Sequence, residues 1–216
     1  MQKVYFISGL GADERAFQFL DLTYCEPVFI SWAEPLPNET LQGYAFRLKE
    51  QITDANPIVV GLSFGGMLVS EMAKADASLK GIIISSNKTS KEFPAYWRIG
   101  KYFPLYRWLP MKPPRNFREY IGRIFGTPDK ERSSLLFQLI DDSNPAFIRW
   151  AIKVILRWKS ETVPANITHI HGNTDLLLPL RYVKADYVIE GGSHFMIVVK
   201  SREISRILKK IITGTN

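Results

Sequence analysis

One serine in the sequence stands in a setting that could make it a nucleophile. Gly61-Leu62-Ser63-Phe64-Gly65 matches the pattern G-x-S-x-G, in which a strand turns so sharply into a helix that the serine is exposed above a parallel sheet. A β-carbon at Gly61 or Gly65 would collide with the neighbouring strand or helix at such a turn. The β-branched run Ile58-Val59-Val60 before it and the helical pattern from Phe64 to Ala75 after it favour a nucleophile elbow over a simple glycine-rich turn.

A base for this serine must come from the three histidines of the chain. A serine hydroxyl is a poor nucleophile unless a base lies within hydrogen-bond reach and is itself held by a third group. His194 follows two glycines in a predicted loop at the carboxyl end of a strand, whereas His169 and His171 lie inside a predicted strand. We therefore predict that His194 is the base.

The third group is an acid that accepts the other imidazole N–H and stabilises the imidazolium. Asp175 lies in the loop after the preceding strand, which gives the chain order Ser, Asp, His. The loop 85–88 after the fourth predicted strand contains no carboxylate, and Asp186 lies too early in its strand. Asp141 and Asp142 belong to a different segment of the chain. Asp175 is therefore the predicted acid.

Acyl transfer also needs hydrogen-bond donors for the oxyanion, and backbone N–H groups can supply them. One predicted donor is the N–H of Phe64, directly after the serine. The other is the N–H of Leu10 in the turn Ser8-Gly9-Leu10-Gly11, where two glycines allow a close approach of the backbone. The alternative is that this turn is only a corner between a strand and a helix.

The elements that must position these residues alternate between strand and helix over most of the chain. Such alternation favours parallel pairing through right-handed crossovers and a doubly wound α/β sheet of about six strands, with the site outside the carboxyl ends of the strands. The predicted strands are Lys3–Ile7, Pro27–Trp32, Ile58–Val60, Leu79–Ser86, Ile167–His171 and Ala185–Ile189. The predicted helices of the α/β part are Ala12–Leu20, one from an Asn38 N-cap to about Thr53, Phe64–Ala75 and Phe195–Ile212.

Residues 87–159 interrupt the alternation with helix-like, aromatic and basic sequence. We expect residues 1–86 and 160–216 to form an α/β core and residues 87–159 to form an inserted helical cap. Asn144 before Pro145 predicts the start of the last helix of this segment, over Ala146–Trp158.

The positive charge of the chain is concentrated in this segment. Residues 88–159 contain 15 Lys or Arg against 6 Asp or Glu, whereas the whole chain has a net charge of +7. Arg149, Lys153 and Arg157 recur along one face of the last helix. They could steer an anionic acyl substrate, contact an anionic membrane surface, or only make the outer face cationic. No recognised nucleic-acid-binding module is present, so we expect no nucleic-acid partner.

Composition supports one globular domain, and the chemistry expected of Ser63, His194 and Asp175 requires no cofactor. The chain has 216 residues, of which 46% are hydrophobic and 23% charged, and no apolar run approaches the roughly 20 residues that span a bilayer. Its one cysteine, Cys25, cannot form an internal disulfide, and we expect a cytoplasmic protein.

His169 and His171 share a strand face, but no further ligand follows at metal-binding spacing, so we expect hydrogen-bonded strand histidines and no metal.

Taken together, these motifs resemble the α/β-hydrolase superfamily over nearly the whole chain. The resemblance rests on four short segments that occur in this order: residues 8–11, residues 61–65, residues 171–175 with Pro179 beyond them, and residues 192–195. It implies a triad of Ser63, Asp175 and His194, an oxyanion hole at Leu10 and Phe64, and a helical cap. The sequence departs from many relatives in having Ser8 where they carry histidine, and in lacking the two leading antiparallel strands of the eight-stranded fold.

The chemistry expected from this resemblance is hydrolysis of a small-molecule carboxylic ester or thioester through an acyl-enzyme on Ser63. The same three groups could serve acyl transfer or the cleavage of a carbon–carbon bond. A non-catalytic protein that binds a ligand under its cap is a further alternative. The sequence does not indicate an oligomeric state.

Overall fold

The computed structural model describes residues 1–99, 102, 112–127 and 129–214. Within them, six parallel strands form one sheet in the order β2-β1-β3-β4-β5-β6, with helices on both faces. The predicted α/β architecture with a doubly wound sheet is confirmed. The strands are β1 (Lys3–Ile7), β2 (Glu26–Phe29), β3 (Ile58–Leu62), β4 (Lys80–Ile84), β5 (Ile167–Gly172) and β6 (Tyr187–Ile189).

The strand register brings the exits of the central strands to one edge of the sheet. Ile7 pairs with Gly61, and Leu62 pairs with Ile84, so the turn after β1 lies beside the turn after β3. The strand order reverses between β1 and β3, and ligands bind at such switch points in open α/β sheets. The fold therefore places Ser63 and the turn after β1 at the expected site.

Two hydrophobic cores lie on opposite faces of the sheet. Alternate residues of β1 divide between them, because successive side chains of a strand point to opposite faces. The helices are α1 (Leu41–Lys49), α2 (Phe64–Ala75), α3 (Ala95–Ile99), α4 (Arg118–Phe125), α5 (Lys130–Asp142), α6 (Pro145–Arg157), α7 (Met196–Val199) and α8 (Ser201–Thr213). Val4 packs with helices α5, α7 and α8, whereas Tyr5 packs with α1, α2 and α6.

Two predicted helices near the amino terminus differ from the structure. Residues 12–20 contain only a short 3₁₀ helix, Glu14–Phe17, whose N-cap Asp13 accepts a hydrogen bond from Arg15 N at 3.0 Å. Helix α1 is capped by Thr40, whose side-chain oxygen accepts a hydrogen bond from Gly43 N at 3.0 Å. Asn38 instead adopts a positive φ of 58°. The predicted cap therefore lies in the preceding turn, where asparagine tolerates this conformation.

The closing helix is also shorter than predicted. Residues 195–212 divide at Lys200 into α7 and α8, because Lys200 leaves the helical region at φ −116° and ψ 28°. Helix α6 agrees with its predicted start, since the Asn144 side chain accepts a hydrogen bond from Ala146 N at 2.9 Å. No helix in the described part of the chain is long and apolar enough to cross a membrane.

The segment between β4 and β5 contains α3 to α6 and packs directly on the sheet. Ala151, Val154 and Ile155 of α6 belong to the core with α1 and α2. Leu136 and Leu139 of α5 belong to the core on the opposite face. The expected division between an α/β part and a cap stays a prediction. Residues 100, 101, 103–111 and 128 of this segment lie outside the described residues.

A substitution of Gly65 by alanine tests the steric account of the turn at Ser63. A β-carbon at Gly65 would lie 2.4 Å from both the Ile7 and the Ser8 carbonyl oxygens, which belong to the backbone at the end of β1. We expect Gly65→Ala to lower the free energy of unfolding by at least about 3 kcal/mol, the upper range for overpacking. Chemical denaturation measures this loss.

Gly43→Ala is the matched control. Gly43 lies inside α1, and its nearest contact would be an ordinary 3.4 Å to the Thr40 side chain. Alanine at this helical position is expected to leave the denaturation midpoint unchanged or to raise it. Equal midpoints for Gly65→Ala and the wild type would contradict the steric account.

Candidate active site

Ser63 lies at the junction of β3 and α2 in a strained backbone conformation. Its φ of 50° and ψ of −114° are rarely adopted by residues with a side chain, at a cost of about 1–3 kcal/mol. The surrounding backbone holds this geometry. Ser63 N donates to Ile84 O at 2.9 Å, and the Ser86 hydroxyl donates to Ser63 O at 2.6 Å. A β-carbon at Gly61 would lie 2.6 Å from the Gly65 carbonyl group, so the turn requires glycine there.

The three residues predicted for nucleophilic chemistry form one hydrogen-bonded series. Ser63 Oγ lies 3.0 Å from His194 Nε2, and His194 Nδ1 lies 2.8 Å from Asp175 Oδ2. His194 and Asp175 are buried, at 7% and 3% exposure, whereas Ser63 is partly exposed. This arrangement can remove a proton from the serine and stabilise the resulting imidazolium.

Asp175 is oriented by the loop that follows it. Its Oδ1 accepts hydrogen bonds from Leu177 N at 2.9 Å and Leu178 N at 2.8 Å, which leaves Oδ2 for His194. Burial on its own raises the pKa of the Asp175 carboxyl. The adjacent charge of His194, its hydrogen bond and the Leu178 N–H outweigh burial and hold the pKa below the ordinary value. The carboxyl group is therefore ionised at neutral pH.

His169 and His171 support the loop that holds Asp175. His171 Nε2 lies 2.7 Å from Leu178 O, and His171 Nδ1 lies 3.0 Å from His169 Nε2. A carbonyl oxygen can only accept, so the hydrogen-bond network assigns the proton of His171 to Nε2. Burial lowers the pKa of both histidines, which favours their neutral forms. The described residues contain no group of three potential metal ligands.

The turn after β1 approaches Ser63 closely. A β-carbon at Gly9 would already contact Ser63 Cβ at 3.4 Å. Within the described residues, neither Leu10 N–H nor Phe64 N–H donates a hydrogen bond. Both groups are therefore available to a ligand, and Phe64 opens helix α2, whose amino-terminal dipole favours negative charge.

Comparison of the whole chain with solved structures identifies the architecture. Three similar structures are a thermophilic esterase from Thermogutta terrifontis with malate bound, a lipase-esterase related protein from Clostridium acetobutylicum, and an N-acyl homoserine lactonase complexed with N-hexanoyl homoserine. Their TM-scores are 0.75, 0.73 and 0.69 at 14%, 16% and 15% identity. The alignments cover 99%, 97% and 99% of this chain and 90%, 93% and 89% of those chains. The chain has the α/β-hydrolase fold. No protein-family model and no curated protein sequence matches it.

The chain departs from the full α/β-hydrolase fold at two predicted points. The described residues form six strands, all parallel, without the two leading antiparallel strands. Where many proteins of this fold carry histidine, Ser8 donates a hydrogen bond to Ala12 O at 2.8 Å, and Trp32 Nε1 donates to the same oxygen at 2.9 Å. The turn after β1 is therefore held by Ser8 at its start and by Trp32 from the segment after β2.

Helices α4 and α5 cover Ser63 with apolar side chains that sequence analysis did not assign to the site. The Phe125 ring meets the His194 ring edge to face, with centroids 5.6 Å apart. A cavity of about 50 Å³ is lined by Ser63 and His194 and by three residues of α5, Leu136, Leu139 and Ile140. The spacing of these three residues predicts that they share one helix face, but it does not show that this face lies over Ser63.

The basic side chains of α6 lie away from the cavity at Ser63 in this α/β-hydrolase fold. Lys153 and Arg157 line a groove of about 360 Å³ beside the start of α1, together with Glu39 and Glu71. Among the residues that the structure describes, none lines both this groove and the cavity at Ser63. Arg149 is exposed. The geometry therefore does not favour the hypothesis that these three cations steer an anionic acyl group to Ser63.

Proposed function

We propose that this protein is a serine hydrolase that cleaves a small-molecule carboxylic ester or thioester through an acyl-enzyme on Ser63. The observation that carries the proposal is the hydrogen-bonded series Ser63, His194 and Asp175, of which Ser63 and His194 line a cavity. The structural neighbours described as esterases and lactonases support an ester substrate. No metal or organic cofactor is needed for this chemistry.

In the first half of the reaction, Ser63 Oγ attacks the carbonyl carbon of the substrate. His194 Nε2 takes the serine proton, and Asp175 stabilises the imidazolium through Nδ1. The carbonyl oxygen becomes an oxyanion that accepts hydrogen bonds from Leu10 N–H and Phe64 N–H. His194 then returns the proton to the departing alkoxide or thiolate, which leaves the acyl group bonded to Ser63.

The second half of the reaction repeats these steps with water. His194 accepts a proton from water as the water oxygen attacks the acyl carbonyl carbon. The second tetrahedral intermediate uses the same backbone donors, and its collapse releases the carboxylic acid. His194 returns the proton to Ser63 Oγ, so the enzyme is regenerated without net change.

We also propose that residues 87–159 act as a cap over this chemistry. Helices α4 and α5 of this segment contribute Phe125, Leu136, Leu139 and Ile140 to the cavity. These apolar side chains lower the local dielectric beside Ser63, which strengthens electrostatic stabilisation of the oxyanion. The segment therefore covers part of the site while also packing on the sheet.

The test is an assay of ester and thioester hydrolysis with product analysis, with and without an added alcohol acceptor. Release of the free acid in a Ser63-dependent reaction is the expected result. Transfer of the acyl group to the alcohol in preference to water would indicate an acyltransferase. Thermal stabilisation by an ester that the protein never cleaves would contradict the proposal and indicate a binding protein.

Neutralising the α6 cations is expected to leave activity nearly unchanged. Lys153→Gln combined with Arg157→Gln alters a groove separate from the Ser63 cavity. The ratio of kcat/KM for phenyl acetate to that for 4-acetoxybenzoate, which carries its single negative charge on the alcohol portion, should stay within about twofold of wild type, since distant exposed charges are screened. A selective loss on the anionic ester would restore the charge-steering hypothesis.

A further inference from the structure

We infer that the cavity at Ser63 accepts only a short, uncharged acyl group, acetyl or propionyl, and that Leu136 and Ile140 of α5 set this limit. This inference rests on the proposed function and deepens it, because it names the substrate class of the same site. It follows from the position of the cavity, its volume, the chemistry of its lining and an adjoining groove.

We assign the cavity to the acyl side of the site, because its lining brings the nucleophile Ser63 together with Gly9 and Leu10 of the turn after β1 and with His194. With its oxygen directed to Leu10 N–H and Phe64 N–H, a carbonyl carbon bonded to Ser63 Oγ extends its acyl chain into this space.

The volume of the cavity limits the length of that chain. The cavity measures about 50 Å³. A cavity of roughly 150 Å³ lined by Leu, Ile and Phe holds one benzene molecule. The space at Ser63 is about a third of that volume, which leaves room for roughly two carbons. An acetyl or propionyl group fits, whereas a hexanoyl chain would have to displace the walls.

The lining excludes a charged acyl group. Among the described residues that line the cavity, the side chains other than those of Ser63 and His194 are apolar, and none is Lys, Arg, Asp or Glu. An unpaired carboxylate placed there would lose its hydration without a compensating partner. The principal side chains of the wall are Leu62, Phe125, Leu136, Leu139, Ile140 and Phe195.

The wall that faces the acyl chain is part of the protein core. Leu136 and Leu139 are 3% and 2% exposed and pack with the sheet in the same core as α7 and α8. Side chains in a close-packed core resist displacement by a ligand. A longer acyl chain therefore cannot enlarge the cavity without disturbing the core.

A second groove offers a place for the leaving group. It measures about 230 Å³ and shares Gly11, Ala12 and Leu139 with the cavity at Ser63. Trp32 and Phe147 also line this groove. An alcohol or thiol whose leaving atom lies beside His194 can extend its distal part past the shared residues into this groove, so discrimination by length applies to the acid and not to the alcohol.

The experiment is a panel of p-nitrophenyl esters from acetate to octanoate, with kcat/KM measured for each. Each methylene beyond the available room is expected to lower kcat/KM by about tenfold or more, so hexanoate, which is three methylenes longer than propionate, should be poorer than propionate by about a thousandfold or more. Acetate esters of ethanol, hexanol and octanol, followed by acid release, should differ by less than threefold.

Leu136→Ala should shift the preferred acyl length upward by roughly two carbons, the size of the space it opens. Leu135→Ala is the matched control, because Leu135 is the adjacent buried leucine of α5 in the same core but does not line the cavity. It should lose similar stability and keep the wild-type length profile. Ile140→Ala, at a partly exposed position, provides a second enlarging variant if Leu136→Ala does not fold.

The outcomes separate this inference from the proposed function. A wild type that cleaves hexanoate or octanoate as fast as acetate would overturn the inference and leave the serine hydrolase intact. The same holds if Leu135→Ala and Leu136→Ala shift the profile equally. Failure to cleave any ester or thioester, whatever its length, would instead overturn the proposed function.

Discussion

Ser63→Ala is expected to lower kcat for ester hydrolysis by about 10⁶-fold while leaving the fold intact, as the loss of the nucleophile does in serine proteases. Alanine keeps the β-carbon of Ser63 and removes only the oxygen that lies 3.0 Å from His194 Nε2. Steady-state kinetics on the preferred ester measure the effect, and circular dichroism verifies the fold. Activity within tenfold of wild type would show that another group is the nucleophile.

Ser63→Gly separates catalysis from backbone strain. Both variants lack the nucleophile, but only glycine relaxes at the positive φ of 50°. We expect Ser63→Gly to be inactive and more stable to unfolding than Ser63→Ala by about 1 kcal/mol. Equal stability of the two variants would indicate that the elbow stores no strain.

Asp175→Asn is expected to lower kcat by about 10⁴-fold. The amide keeps the size of the carboxyl group and can still accept from Leu177 N and Leu178 N, but it carries no charge to stabilise the His194 imidazolium. Its NH₂ group also favours the wrong tautomer of His194. Presteady-state kinetics should show slowing of both acylation and deacylation, because His194 acts in each step.

Asp186→Asn is the matched control for this substitution. Asp186 accepts a hydrogen bond from His169 N at 2.7 Å and does not bond to His194. We expect its kcat to stay within a few-fold of wild type. A loss comparable to that of Asp175→Asn would mean that the neighbourhood of β5, rather than the Asp175 charge, controls the rate.

The depressed pKa of Asp175 also affects stability at low pH. Its pKa is lower in the folded chain than the ordinary value of 3.8, so the ionised carboxylate stabilises the fold above that value. This contribution is lost as pH falls through the folded pKa. The Tm of Asp175→Asn should therefore fall less steeply than that of wild type below about pH 4.

Sequence reasoning succeeded where local pattern and sterics determine the structure. The bounds of β1 and α2 agree with the predicted Lys3–Ile7 and Phe64–Ala75. The glycines around Ser63 tolerate no β-carbon, so the turn can be read from the residues themselves. Ser63, Asp175 and His194 meet because parallel strands end at one edge of the sheet.

Features that depend on tertiary packing could not be predicted in the same way. The apolar pattern of α5 indicates a buried face, but only the fold shows that Leu136 and Ile140 face Ser63. The positions of Lys153 and Arg157 follow from how α6 packs against α1 and α2. The contact of His171 with Leu178 O joins residues of a strand and a loop that no periodicity relates.

The most direct test of the account is labelling by a fluorophosphonate probe, followed by mass spectrometry of the modified peptide. The account predicts stoichiometric modification of Ser63 in the wild type, strongly slowed modification in His194→Ala, and none in Ser63→Ala. An unlabelled wild type, or a probe attached to a residue other than Ser63, would contradict the assignment of Ser63 as the nucleophile.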